Sequence, residues 1–249
     1  MQTRVDVFED IFMIFLVLGT IVGVIVVAYT LYNAYKYRDT GEPADEDAPT
    51  LGELPTGGQG GKKLFLSFAL SAVVVISLVA YAYVLLLYVE TGPEGENPGE
   101  DAIEIDVEGW AFDWDFHYED GVETTGTMYV PAGETVWINV TSDDVWHSFG
   151  ISDQRVKADA IPGEYDQTWF VAEEPGEYED AIECFELCGS GHSGMTADLV
   201  VLEPEEYEEW LEEERAALEE DEEDDEESEE DTENDEEAEE EEDDEGGED

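Results

Sequence analysis

Hydrophobic and polar positions divide this chain into three regimes. Residues Ile11 to Tyr35 and Leu64 to Val89 contain no charged side chain. Each stretch exceeds the roughly 20 residues that an α-helix needs to cross a bilayer core, so the pattern predicts two transmembrane helices. The first is too long for the apolar region of a secretory signal and lacks a small-residue cleavage site. A buried helix of a soluble protein fits neither the length nor the absence of charge. After a hinge rich in Gly, Pro and Glu (TGPEGENPGE), the period changes to two. The run IEIDVEGWAFDWDFHY alternates apolar and acidic residues, ETVWINVTS, DQTWFVA and ADLVVLE are rich in strand formers, and PAG, IPG and EPGE separate them. Short strands at that spacing predict an all-β sandwich or barrel. From about Glu205 the sequence becomes EYEEWLEEERAALEEDEEDDEESEED, whose start suits a short helix and whose remainder is a disordered, solvated run of like charge. The expected division is therefore a transmembrane hairpin over 1–90, an outer β domain over 91–204 and an acidic tail over 205–249.

Charge adds an orientation and an environment. Lys36 and Arg38 follow the first span, Lys62 and Lys63 precede the second, and no Lys or Arg occurs between Glu90 and Gln154. Positive residues mark the cytoplasmic side. The flexible connecting loop 36–63 is therefore expected in the cytoplasm, with both termini and the β domain outside; Arg4 is outvoted. The chain has 70 Asp and Glu against 8 Lys and Arg, a formal net charge of -62, alongside 42% hydrophobic residues. Such a chain folds most readily in molar salt, where the Debye length falls to about 3 Å and acidic surfaces stop repelling one another. That reading makes the source an extreme halophile and makes the acidity poor grounds for inferring a basic partner. No nucleic acid is expected as a partner.

The soft ligands are concentrated in one place. The stretch CFELCGSGHSGM holds both cysteines, Cys184 and Cys188, one of three histidines, His192, and Met195. In an oxidising compartment the cysteines could form a disulfide, but so small a loop constrains the unfolded chain little, and the bridge leaves His192 and Met195 without a role. Zinc accepts thiolates and imidazoles but has no use for a thioether. Copper uses all three donors. A blue-copper site needs one Cys, two His and an axial Met; a second thiolate is what two coppers sharing bridging sulfurs would require. The remaining imidazole is expected from a neighbouring strand or loop, and TSDDVWHSFGIS supplies His147. His117 sits among alternating aromatics, where a surface or packing role fits better.

In order and spacing, V-W-H-S-F around His147, V-K-A-D-A-I-P-G around Asp159, Q-T-W-F, P-G-E-Y and the copper stretch, preceded by a two-helix hairpin, resemble subunit II of the haem–copper respiratory oxidases, the cytochrome c oxidase family. The resemblance runs from the N-terminus to about residue 204. It implies a cupredoxin-like barrel carrying a dinuclear CuA centre. Cys184 and Cys188 would be the bridging thiolates, His147 and His192 the terminal imidazoles, and Met195 and the backbone carbonyl of Glu186 the weak ligands. The Glu186 side chain would help to bind Mg²⁺ at the catalytic subunit. The implied function is to take electrons from an external donor, a cytochrome c or small blue-copper protein, and pass them to haem in subunit I of a proton-translocating oxidase. Oxygen reduction would then occur in that partner.

Three departures accompany the resemblance. The family's W-x-W-x-aromatic frame is F-D-W-D-F here, which puts Phe112, or Trp114 in a shifted frame, where the incoming electron is received. Glu164 stands where an arginine is common. The glutamate often found before the second span and linked to proton uptake is absent from TGGQGGKKLF. The rival reaction class for such a copper loop is the CuA subunit of a nitric or nitrous oxide reductase; two spans before the barrel and D-A-I-P-G favour the oxidase.

Overall fold

The computed structural model describes residues 2–39, 41, 58–93, 95, 98 and 102–220. Parts of the connecting loop and of the hinge, and the tail beyond residue 220, lie outside the described residues. The chain divides into two units, Met1–Asn97 and Pro98–Asp249.

The first unit is helical. α1 spans Arg4–Lys36 and α2 spans Gly58–Thr91, so the uncharged stretches lie inside longer helices. Helical hydrogen bonding propagates cheaply from a formed turn and does not stop where apolar residues do. Thr3 closes the start of α1. Its hydroxyl accepts from Asp6 N at 3.1 Å and its own amide donates to the Asp6 carboxylate at 2.8 Å, which satisfies amides that a helix start leaves unpaired. The Tyr88 hydroxyl donates to the Gln2 carbonyl at 2.6 Å and ties the end of α2 to the start of α1. Apolar side chains such as Phe15, Val24, Leu70 and Val79 point outward, exposed. At about 1.5 Å per residue each helix exceeds the ~30 Å of a hydrocarbon core, the solvent such a surface requires.

The second unit is a sandwich of two five-stranded sheets. One sheet is ordered β3-β2-β1-β5-β8 and the other β4-β10-β9-β6-β7. The first five strands in chain order are β1 (Ile103–Trp110), β2 (Asp113–His117), β3 (Glu123–Thr125), β4 (Thr127–Pro131) and β5 (Val136–Ser142). The second five are β6 (His147–Ile151), β7 (Val156–Ala160), β8 (Asp166–Phe170), β9 (Gly176–Cys184) and β10 (Thr196–Leu202). Alternation decides which side chains face inward: Ala197, Leu199 and Val201 of β10 are buried while their neighbours are half-exposed. Trp114, Phe116, Phe149 and Phe170 fill the space between the sheets. The alternating run 103–118 is not one strand. It turns back at Ala111 and Phe112 into the β1–β2 hairpin, pairing Trp110 with Asp113, and this lifts Phe112 out of the alternation.

A helix over 204–220 follows β10, beginning at Pro204, a residue suited to a first helical turn. It carries an apolar stripe at i, i+3 and i+4: Tyr207 is buried, and Trp210 and Leu211 pack on the core. The Trp210 ring stacks on Tyr129 at 4.4 Å and meets Tyr118 edge-on at 5.1 Å. The Tyr118 hydroxyl in turn accepts from Tyr129 N at 2.7 Å.

Candidate metal centre

Strand pairing assembles the site. β6 begins at His147 and β9 ends at Cys184, and their antiparallel register places Cys184 opposite Phe149, two residues along the strand from His147. The chain then loops out from Phe185 and returns through a short turn at His192–Gly194 to β10. Backbone bonds pin the base of the loop: Cys184 N donates to Met195 O at 3.2 Å and Phe185 N to Ser148 O at 2.7 Å. Two missing Cβ atoms let aromatic rings settle on it. A Cβ on Gly150 would lie 2.5 Å from the Phe185 ring, and one on Gly191 would overlap the Phe112 ring. Gly189 has φ +140° and needs glycine for its backbone as well.

Six donor atoms converge there. The Cys184 and Cys188 sulfurs stand 4.0 Å apart. His147 Nδ1 lies 3.8 Å from the Cys184 sulfur and His192 Nδ1 lies 3.6 Å from the Cys188 sulfur. Met195 Sδ is 3.7 Å from Cys188, and the Glu186 carbonyl is 3.2 Å from Cys184. His147 and Met195 are each 1% exposed, whereas Cys188 and His192 are half-buried, so the cluster has an inner and an outer side. Both cysteines are free, and their separation is about twice the ~2.05 Å of a disulfide bond.

Electrostatics prepare these donors for a soft cation. Burial, and then the neighbouring Cys184 sulfur, push the Cys188 thiol up to about 11, because two adjacent thiolates repel without a positive charge between them. Asp144 fixes one imidazole. Burial works to raise its carboxyl, but hydrogen bonds from His147 and from the Val145 and Ala111 amides outweigh that and hold it below the ordinary range. The carboxylate only accepts, so His147 Nε2, 2.8 Å away, carries the proton, and Nδ1 is left with a lone pair facing the sulfurs. Two thiols, two imidazole Nδ1 atoms, a thioether and a carbonyl form a donor set suited to copper.

The remaining candidates separate by position. Phe112 is 37% exposed and rests against the loop at Gly189 and Gly191. Trp114 is fully buried, edge-on to His147 at 6.0 Å, with its indole N–H unpaired among the described residues. His117 lies away from the cluster in β2, 3.0 Å from Glu123. The Glu186 and Glu164 side chains are exposed. Sequence reasoning missed Asp144. Its place three residues before a candidate ligand was a usable signal, diluted among so many acidic residues.

This chain is similar in sequence to known proteins. The profile of the family described as "Cytochrome C oxidase subunit II, periplasmic domain" matches residues 108–202. The chain is 35% identical over 208 residues to the "Heme-copper oxidase subunit 2" of Aeropyrum pernix, a match covering 79% of this chain and 85% of that one. It is 30% identical over 200 residues to the "Cytochrome c oxidase subunit 2" of Alkalihalophilus pseudofirmus, covering 79% of this chain and 55% of that longer relative. Among solved structures, the periplasmic domain of subunit II of the cytochrome oxidase of Bradyrhizobium japonicum has 29% identity and a TM-score of 0.44, covering 48% of this chain and 97% of that one.

Proposed function

The chain belongs to the haem–copper oxidase subunit 2 family, and from that premise we propose that His147, Cys184, Cys188, His192, Met195 and the Glu186 carbonyl hold the two copper ions of its CuA centre. The chain is the electron-accepting subunit of a membrane terminal oxidase and works beside a haem-bearing subunit I. Held by these residues, the copper pair would supply one-electron transfer. The protein's part is to hold the donors still: β6 and β9 carry His147 and Cys184, and the loop pinned at Cys184 and Met195 carries the others. The convergence of five soft and borderline donors and one backbone carbonyl on one end of the sandwich carries this assignment. Copper analysis of the purified full-length chain in its complex tests it. Two coppers per chain are expected, and Cys188→Ser removes the purple mixed-valence absorption. A single copper, or an unaltered spectrum in that variant, overturns the assignment.

Finer parts of the reading follow from position. Phe112 is where the electron enters, because it is exposed and lies on the copper loop, whereas Trp114 is sealed beneath His147. The donor is a cytochrome c or a small blue-copper protein. The exposed Glu186 side chain contributes to a Mg²⁺ site shared with subunit I. Lys36, Arg38, Lys62 and Lys63 place loop 36–63 in the cytoplasm, and the termini and copper domain outside. Proton translocation by the assembled oxidase relies on subunit I. The net charge of -62 supports a molar-salt environment.

A further inference from the structure

The two imidazoles of the cluster sit on different elements, His147 at the start of β6 and His192 in the returning loop. Strand pairing fixes the first. The second lies 45 residues further along the chain and depends on how the loop closes. A continuous set of contacts outside the donor cluster joins them, and Asp144 is at its centre. One oxygen of its carboxylate lies 2.8 Å from His147 Nε2 and also accepts from Val145 N at 2.6 Å. The other oxygen accepts from Ala111 N at 3.0 Å. Ala111 precedes Phe112, whose ring rests on Gly189 and Gly191, the residues that flank Ser190 between Cys188 and His192. The turn bearing Asp144 is itself braced. Asp144 N donates to Ser142 Oγ at 3.3 Å, Ser142 Oγ donates to Val145 O at 2.5 Å, and Asp143 N donates to Gly109 O at 3.1 Å.

Resting on the copper reading above, we propose that Asp144 is a positioning residue with two coupled tasks. It fixes the tautomer and orientation of His147, and it holds the 110–112 turn so that Phe112 keeps the Cys188–His192 segment closed on the cluster. Each oxygen serves one task. Removing both at once frees the strand-borne ligand to rotate and loosens the lid over the loop-borne ligands. The carboxylate also makes the His147 imidazole a stronger electron donor through the Nε2 proton it accepts. Its loss therefore favours the reduced metal and raises the reduction potential.

The test uses the full-length chain in its oxidase complex, purified in high salt, with copper retention against a chelator and the copper reduction potential as readouts. Asp144→Ala is expected to weaken retention roughly 10- to 100-fold, the range for loss of a group orienting a metal-bound imidazole, and to raise the potential. Asp144→Asn keeps an acceptor oxygen for Ala111 but offers no anion to His147; it is expected to raise the potential with a smaller loss of retention. Phe112→Ala in the Asp144→Ala background should weaken retention less than Phe112→Ala does alone, because the lid is already loose. Two bound coppers with an unaltered potential in both Asp144 variants would overturn the orienting task. Strict additivity of Asp144→Ala and Phe112→Ala would overturn the coupling. Fewer than two coppers in the unmodified complex is the separate failure of the copper reading itself.

Discussion

The contact between Phe112 and Gly191 offers a direct perturbation of the site. Gly191 has φ -93° and ψ -1°, a backbone conformation that alanine adopts without strain, so Gly191→Ala adds one methyl group and little else. That methyl has no room. Besides its overlap with one atom of the Phe112 ring, it would lie 2.6 and 2.7 Å from two further ring carbons, well inside the 3.5–4.0 Å at which carbon atoms attract. Either the ring rotates away or the segment bearing His192 lifts, and overpacking of this kind costs about 1–3 kcal/mol. At 1.4 kcal/mol per factor of ten, and with closure of the loop linked to metal binding, copper retention should fall by about 5- to 150-fold. Chelator competition on the full-length chain, followed by the visible absorption of the copper centre, measures this. Phe112→Ala empties the space the methyl needs but also removes the ring that closes the loop, so the double variant should retain copper as Phe112→Ala alone does, with no further loss from the methyl. Retention equal to that of the unmodified chain in Gly191→Ala, or a full additional loss from Gly191→Ala in the Phe112→Ala background, refutes the argument that the methyl acts through the ring.

Three other outcomes follow from the far side of the domain. Trp210→Ala removes a half-buried indole stacked on Tyr129 and edge-on to Tyr118; a cost of about 2 kcal/mol is expected, roughly half that of deleting a fully buried aromatic, and is read as a lower Tm. Glu177 and Asp198 on the sheet face Glu206, Glu209 and Glu213 of the C-terminal helix around a shared cavity of about 500 Å³. Diluting salt from 1 M to 0.15 M lengthens the Debye length from about 3 to about 8 Å, so the helix should undock, giving a shift in tryptophan emission that Trp210→Phe removes. Burial raises the Tyr118 phenol above its ordinary value, while the Tyr129 amide it accepts from lowers it less. The stability that follows is complete below about pH 10, where unfolded tyrosine ionises, and is lost as pH rises further. Denaturant midpoints at pH 8 and pH 11 should differ less in Tyr118→Phe, which also costs about 1–3 kcal/mol by leaving Tyr129 N–H unpaired.

The candidate donors that the structure brings together were legible because soft side chains are scarce in this chain. Two cysteines and three histidines leave few ways to build a metal site, and Cys184, Cys188, His192 and Met195 sit within twelve residues of one another. The membrane helices were equally plain, since about 20 uncharged residues have few structural outcomes. Local information of this type lies in composition and spacing. It also placed strands β5, β8 and β10, where β-branched and aromatic residues cluster.

What lay outside the reach of sequence was everything that depends on residues distant along the chain arriving together. Nothing in IEIDVEGWAFDWDFHY announced that it would fold back at Ala111 and Phe112, yet that turn delivers Phe112 to Gly191 and Ala111 N to Asp144. Asp144 and Asp143 are indistinguishable as letters among seventy acidic residues; only the start of β6 beside the β1–β2 turn makes one of them the partner of His147. The start of the acidic run suits a short helix on sequence alone, but only Tyr129 and Tyr118 on the sandwich give Trp210 of the helix over 204–220 a surface to bury. Side-chain chemistry and helix length are properties of short segments and are written in them. Orientation, tautomer and closure are set by packing between segments, and the free energy that decides them exists only once the sheets have paired.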